Sequence, residues 1–176
     1  MKKIKVLFLD RDGVINEEVN YLHHISGFKF INGVFDSLRD LSSYGFKFII
    51  VSNQSGIGRG MYSLNEFKVL NKWMLGQFKK NRIEILDVFI CPHTDSDNCQ
   101  CRKPKDGLFR QAYKKYCIDI NQSWMIGDSE RDIEASLSAG ISNNIIVRSG
   151  HTISESTTKA SVIIDSIKDI TKVIKS

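Results

Sequence analysis

Apolar residues occur along this chain in two alternating patterns. Short runs rich in apolar residues, ended by glycine or polar residues, predict buried strands at residues 4–9, 46–51, 85–90, 123–126, 144–147 and 161–164. Between them, apolar residues spaced three and four apart predict helices at about 33–45, 63–80, 107–117, 133–140 and 167–174. Strands that alternate with helices indicate an α/β fold with a doubly wound, Rossmann-like and mainly parallel sheet.

Polar side chains follow three of the predicted strands, at the point where each strand ends. They are Asp10 and Asp12, Ser52 and Asn53, and Asp128 and Asp132. The carboxyl ends of parallel strands share one edge of the sheet, where open α/β sheets bind their ligands. We therefore expect the three clusters to converge on one site.

The first cluster, Asp10-Arg11-Asp12-Gly13, has two interpretations on its own. Two carboxylates at one strand end repel each other unless a cation or a shared proton holds them, which indicates an oxygen-liganded Mg²⁺ and paired acid–base chemistry. A strand followed by an ordinary Asp-Gly turn explains the same stretch equally well. Together with Lys103, the three clusters supply what phosphoryl transfer needs: a carboxylate nucleophile, an acid–base group, a metal and fixed donors.

Composition limits the class of protein without choosing a substrate. With 176 residues, 41% of them apolar, and two prolines, the chain is expected to form a single domain over residues 1–176. The net charge of +5 suits a phosphorylated metabolite as readily as nucleic acid. The start lacks the pattern of a signal peptide and no stretch approaches membrane-spanning length, so we predict a cytoplasmic protein with reduced cysteines.

A short loop after the third predicted strand is rich in metal-binding side chains. Three thiols and one imidazole are enough for a closed, structural Zn²⁺ site, and they are Cys91, His93, Cys99 and Cys101. Free thiols or a disulfide are the alternative. Cys117 is expected to be a buried helix residue, His23 and His24 are expected in a surface loop, and His151 receives no role.

Four motifs, taken together, resemble those of the haloacid-dehalogenase (HAD) superfamily of phosphatases. The pattern of that family is hhhhDxDG, hhhS/TN, a lysine and GDxxxD, in this order. The chain matches it with Leu7-Phe8-Leu9-Asp10-Arg11-Asp12-Gly13, Ile49-Ile50-Val51-Ser52-Asn53, Lys103 and Gly127-Asp128-Ser129-Glu130-Arg131-Asp132. The resemblance covers nearly the whole chain and implies a HAD-like fold. The chain is too short for the large cap domain that many members insert.

The resemblance implies a role for each matching residue. Asp10 would attack phosphorus and form an aspartyl-phosphate, and Asp12 would protonate the leaving alcohol and then activate water. Ser52 and Lys103 would stabilise the transferring phosphoryl group.

The same family resemblance implies a magnesium site. Its ligands would be Asp10, the backbone carbonyl of Asp12, and Asp128. Asp132 would help to orient these ligands without itself binding the metal.

Within the superfamily, the chain is similar to the D-glycero-D-manno-heptose 1,7-bisphosphate 7-phosphatases, which serve nucleotide-activated heptose and surface-glycan synthesis such as lipopolysaccharide. That similarity rests on D-R-D-G-V-I-N, S-N-Q-S-G-I-x-R-G and C-R-K-P, and the Cys/His pairs of the zinc loop also occur in this subgroup. It implies substrate contacts from Arg11, Glu18, Val19, Asn20, Tyr21, Asn53, Gln54, Ser55 and Arg102, the last of these for the second phosphate. Ser129 departs from the subgroup, which often has lysine there.

Other functions share parts of this pattern. Histidinol phosphate or a nucleic-acid 3′-phosphate could be the substrate of the same mechanism, although no basic patch with interleaved aromatic residues is evident for the latter. A zinc-stabilised binding module without catalysis is a third interpretation. We expect the chain to be a monomer that binds a phosphorylated sugar and binds neither nucleic acid nor a membrane.

Overall fold

A six-stranded sheet lies at the centre of the computed structural model, which describes residues 3–175. Its strands are β1 (Val6–Leu9), β2 (Lys47–Asn53), β3 (Ile85–Cys91), β4 (Trp124–Gly127), β5 (Asn143–Val147) and β6 (Val162–Ile164). The spatial order is β3-β2-β1-β4-β5-β6, and every neighbouring pair is parallel. The predicted doubly wound parallel sheet is confirmed.

Helices connect the first five strands, and a loop without a helix joins β5 to β6. The helices are α1 (Val34–Ser43), α2 (Ser55–Gly58), α3 (Leu64–Lys80), α4 (Gly107–Lys115) and α5 (Glu130–Ser138). Short 3₁₀ helices occupy Ile25–Gly27, Asp95–Asp97, Ile120–Gln122 and Ile167–Lys172. The last of these replaces the α-helix predicted at 167–174. Its buried residues Ile167 and Ile170 are three apart, which matches a helix with three residues per turn.

Alternating residues of β1 pack on opposite faces of the sheet. Leu7 and Leu9 join one apolar core with α1, α3 and the final 3₁₀ helix, whereas Val6 and Phe8 join a second core with α4 and α5. All four side chains are fully buried. Burial on both faces explains why the strand is an unbroken apolar run in the sequence.

The central strands bring the polar clusters together. β1 lies between β2 and β4, and the Asp10 backbone N–H donates to the Ile126 carbonyl at 3.0 Å, immediately past the end of β1. The carboxyl ends of these three strands carry the three polar clusters predicted to converge.

Two expectations concern the chain outside the sheet: a buried Cys117 and the absence of a large cap domain. Cys117 is exposed, and it lies beyond the end of α4 because the backbone at Tyr116 is already extended. The prediction that Cys117 is a buried helix residue was therefore wrong. No cap domain is evident in residues 3–175, and the segment between β1 and α1 carries only one short 3₁₀ helix. None of the helices in that range has the length and apolar character to cross a membrane.

Candidate active site

Lys103 lies at the centre of the strand-end cluster. Its Nζ is 2.9 Å from Asp10 Oδ1, 2.6 Å from Asp132 Oδ1 and 2.8 Å from the Val51 carbonyl. Only 2% of its side chain is exposed. The position of the lysine is fixed by Asn53, whose side chain accepts from the Lys103 backbone N–H at 3.0 Å and donates to its carbonyl at 3.1 Å.

Asp132 owes its position to a helix cap. Its Oδ2 accepts hydrogen bonds from the backbone N–H groups of Asp128 and Ser129, at 3.2 and 3.1 Å, in a capping box that begins α5. A Cβ atom at Gly127 would lie 2.2 Å from that of Asp132, so only glycine allows the strand to pass this close. The GDxxxD spacing therefore both starts a helix and directs a buried carboxylate at Lys103.

Three buried carboxylates share this site. Oxygen atoms of Asp10, Asp128 and Asp132 lie within 4.8 Å of one another. Burial raises the pKa of Asp10 well above its ordinary value, as do Asp132 and Asp128, and Lys103 opposes them. Burial and Asp132 likewise raise the pKa of Asp128. So many acids around one cation form an oxygen-rich group with surplus negative charge, which fits a hard divalent cation such as Mg²⁺.

Asp12 points into a separate network of donors at the mouth of the site. Arg11 Nη2 donates to its Oδ1 at 2.8 Å and Asn16 Nδ2 donates to the same atom at 2.9 Å. Gln54 Nε2 donates to Oδ2 at 3.2 Å and also to Ser52 Oγ at 2.8 Å. Asp12 is thus held apart from Lys103, and Gln54 links it to the end of β2.

Tyr62 is a further member of this network. Its hydroxyl donates to Gln54 Oε1 at 2.6 Å, which fixes the orientation of the amide, and burial raises the pKa of this phenol to about 12. Gly56 lies against the ring, since a Cβ there would be 2.1 Å from Tyr62 Cε1. The glycine-rich stretch after β2 is therefore packed around a buried tyrosine.

The cleft above these groups has a volume of about 300 Å³. Residues predicted to contact substrate line it, namely Arg11, Glu18, Val19, Asn20, Tyr21, Asn53, Gln54, Ser55 and Arg102. Arg11 is 3% exposed, and its guanidinium is bound to Asp12 and the Leu22 carbonyl. Burial, with the charges of Asp12 and Asp128, raises the pKa of Glu18 to about 7.

Arginines gather at one end of the cleft. Arg59, Arg102 and Arg131 all line it. Arg102 contacts both oxygens of Asp95, at 2.7 and 3.2 Å, and Arg59 lies 3.6 Å from the same carboxylate. With three arginines and one acid, this end of the cleft is suited to an anionic group.

The predicted zinc ligands also converge. Ligand atoms of Cys91, His93, Cys99 and Cys101 lie within 4.8 Å of one another, and His93 Nδ1 is 3.2 Å from Cys101 Sγ. Burial opposes ionisation of Cys99, but hydrogen bonds from the Arg102 backbone, Cys91 and Cys101 outweigh it and lower its pKa to about 7. Three thiols and one imidazole this close together fit a structural Zn²⁺ site.

The chain is similar to known proteins along its whole length. A HAD-hydrolase-like family model matches residues 100–170. The D-glycero-alpha-D-manno-heptose-1,7-bisphosphate 7-phosphatase of Photorhabdus laumondii is 43% identical over 180 residues, covering 98% of each chain. The D-glycero-beta-D-manno-heptose-1,7-bisphosphate 7-phosphatase of Haemophilus influenzae is 39% identical, covering 97% of each. The chain belongs to the heptose-1,7-bisphosphate 7-phosphatase family. The resemblance inferred from the four motifs is thereby confirmed.

The fold of this heptose-bisphosphate phosphatase family member agrees with a solved structure. The D,D-heptose 1,7-bisphosphate phosphatase of B. bronchiseptica, crystallised with magnesium and phosphate, superposes with a TM-score of 0.85. It covers 96% of this chain and 97% of its own, at 24% identity. The predicted HAD-like fold is therefore confirmed.

Several side chains at the site of this phosphatase family member were not predicted from the sequence. His151 contacts Asp128 Oδ2, and Tyr62 and Asn16 hold the Asp12 network. A signal for His151 was present, because it follows the end of β5, another parallel strand whose carboxyl end lies at the same edge. Nothing in the local pattern distinguished Tyr62 from a core residue.

Proposed function

We propose that this chain is a Mg²⁺-dependent phosphatase that removes the 7-phosphate of D-glycero-D-manno-heptose 1,7-bisphosphate. The observation that carries the proposal is the buried Asp10–Lys103–Asp132 cluster opening into a cleft with three arginines at one end. Full-length relatives named for this activity support it. A substrate with two phosphates needs two anion-binding regions, and the cleft offers both.

Asp10 is the proposed nucleophile. One of its carboxylate oxygens attacks the phosphorus of the 7-phosphate, and the bond from phosphorus to the sugar oxygen breaks as the aspartyl-phosphate forms. Lys103, 2.9 Å away, favours the ionised carboxylate against the effect of burial. Asp10 is 9% exposed and is one of the residues that line the cleft, where it can meet the substrate.

Asp12 is the proposed acid and base. It would give its proton to the departing sugar oxygen, then take a proton from the water that attacks the phosphorus of the aspartyl-phosphate. Phosphate leaves and Asp10 is restored. Donors from Arg11, Asn16 and Gln54 fix the orientation of the Asp12 carboxyl group, so that it faces the cleft in both steps.

Ser52 and Lys103 are the proposed donors for the equatorial phosphoryl oxygens. Ser52 Oγ accepts from Gln54 at 2.8 Å, which leaves its own hydrogen available for phosphate. A bound Mg²⁺, held by Asp10, the Asp12 carbonyl and Asp128, would neutralise charge on the phosphoryl group. Asp132 would keep Lys103 in place through its 2.6 Å contact.

Substrate recognition is assigned to the loops around the cleft. Arg102 would bind the second phosphate, and the segment from Glu18 to Tyr21, together with Gln54 and Ser55, would contact the sugar. Zn²⁺ on the Cys/His cluster would fix the loop that leads into Arg102. Asp95, inside that loop, already holds the Arg102 guanidinium.

We further propose a single domain that acts as a cytoplasmic monomer on a phosphorylated sugar, in the synthesis of nucleotide-activated heptose for surface glycans. Support comes from the zinc cluster, whose thiols persist in a reducing compartment. Light scattering after gel filtration should give about 20 kDa, and about 40 kDa would establish a dimer.

Phosphate release tests the proposed function. Metal-replete protein is assayed with the α and β heptose 1,7-bisphosphates and with histidinol phosphate, and Asp10→Asn is the control. We expect turnover of at least one heptose anomer, a strong preference over histidinol phosphate, and loss of activity in the variant. Turnover of histidinol phosphate alone would keep the mechanism and replace the substrate.

A further inference from the structure

The loop that follows β5 lies against Asp128. The His151 backbone N–H donates to Asp128 Oδ2 at 3.0 Å, and His151 Nδ1 lies 2.6 Å from the same oxygen. The carboxylate that would bind Mg²⁺ is ionised and can only accept hydrogen bonds, so in that state His151 Nδ1 is the donor. One carboxylate oxygen is therefore held by two donors from a single residue.

The backbone of this loop is fixed at the same place. A Cβ at Gly150 would lie 2.0 Å from Asp128 Oδ2, so the chain passes the carboxylate at a distance that only glycine allows. Ser149 Oγ donates to the Gly13 carbonyl at 2.7 Å, which joins the loop to the turn after β1. The loop thus touches two of the three strand ends that form the site.

We propose that His151 is a positioning residue for the divalent cation, because it holds the Asp128 carboxylate in the orientation that binds Mg²⁺. This inference rests on the proposed function, in which Asp128 is a metal ligand. Groups that hydrogen-bond a metal ligand orient it, and removal of such a group typically lowers metal affinity by about 10- to 100-fold. Asp128 has 2% of its side chain exposed and is enclosed by loop and turn, so its orientation depends on these few contacts.

The imidazole itself contributes little to the core. Nearly half of the His151 side chain, 48%, is exposed, so its removal leaves no buried cavity. Loss of the ring nitrogen Nδ1 removes the 2.6 Å contact with Asp128, whereas the hydrogen bond from the backbone N–H, at 3.0 Å, remains. We therefore expect an effect at the lower end of the range, about tenfold, on metal affinity rather than on folding.

Calorimetric titration with MgCl₂, without substrate, measures the affinity. Protein is freed of Mg²⁺ by gel filtration, and its zinc content and thermal midpoint are checked first. His151→Phe keeps the ring but lacks a donor, His151→Asn keeps a donor close to the position of Nδ1, and His24→Ala is a control at an exposed histidine outside the cleft. Michaelis constants for Mg²⁺ and kcat at saturating Mg²⁺ are measured in parallel.

The proposal predicts that His151→Phe raises the Mg²⁺ dissociation constant about tenfold, with the thermal midpoint of the Mg²⁺-free protein unchanged and kcat largely restored by excess Mg²⁺. His151→Asn should stay within threefold of the original protein. A dissociation constant within twofold for His151→Phe, or equal losses in both variants, would overturn it. Asp128→Ala separates the two proposals: if this variant binds Mg²⁺ normally, the metal assignment itself fails.

Discussion

Replacement of Lys103 by methionine tests how the site holds its charges. Methionine has a similar length but no charge, so Asp10 and Asp132 would remain buried without their shared cation. Loss of one partner from a buried ion pair costs about 3–5 kcal/mol. At roughly 2–4 °C per kcal/mol for a chain of this size, the thermal midpoint should fall by about 6–20 °C. Calorimetry in Mg²⁺-free buffer measures the change.

The fall in the thermal midpoint of Lys103→Met should be larger at high pH than at low pH. Burial raises the pKa of Asp10 well above its unfolded value, and without Lys103 it rises further. An acid with a raised pKa in the folded state stabilises the fold below its unfolded pKa, about 3.9, and that stability is lost as pH rises through the folded value. The difference in thermal midpoint between Lys103→Met and the original protein should therefore be small near pH 5 and larger near pH 8.

Activity provides an independent measure of the same substitution. Loss of a preorganised donor to the phosphoryl group should lower kcat by at least about 10²–10³-fold. Lys68→Met, an exposed change on α3, should alter stability by less than about 0.5 kcal/mol and leave kcat unchanged. A difference in midpoint that is the same at every pH, or a variant that retains its kcat, would refute the electrostatic role given to Lys103.

Three further predictions address the zinc loop, the strand ends and the second phosphate. Cys99→Ser should lower the zinc content, the thermal midpoint and the activity together, whereas Cys117→Ser, outside the Cys/His cluster, should leave the zinc content unchanged. Equal zinc content in the two variants would argue against zinc binding by this cluster. Gly127→Ala should destabilise the fold, because the new Cβ would have no room beside Asp132. Gly76→Ala, with open space around it in α3, should instead stabilise the fold by about 1 kcal/mol. Denaturant titration measures the free energy of unfolding of both variants. Arg102→Lys should raise KM for heptose 1,7-bisphosphate about tenfold and leave KM for heptose 7-phosphate unchanged; similar changes for both substrates would exclude contact with the second phosphate.

The sequence predicts the sheet and much of the site because both depend on local patterns. Buried parallel strands are nearly continuous apolar runs, and their carboxyl ends must lie at one edge. Asp10, Ser52 and Asp128 each follow directly from such a run, so their convergence was predictable. The same holds for Asp132, whose spacing from Ser129 also forms a helix cap.

The remaining features depend on how loops fold back over the sheet. His151 reaches Asp128 across 23 positions of the chain, and no periodic pattern specifies that contact. Cys117 was expected inside a helix because apolar spacing continues past Lys115, but Tyr116 turns the backbone into an extended conformation. Apolar spacing alone defines the end of a helix only to within one or two residues.

The phosphate that is removed from heptose 1,7-bisphosphate can be identified directly. Heptose 1,7-bisphosphate is incubated with metal-replete protein and followed by ³¹P NMR, with Asp10→Asn as the matched control. We expect the 7-phosphate signal to be replaced by that of inorganic phosphate and the 1-phosphate signal to persist. The variant, folded and zinc-loaded, should change neither signal. Loss of the 1-phosphate signal, or unchanged turnover by Asp10→Asn, would contradict the proposed function.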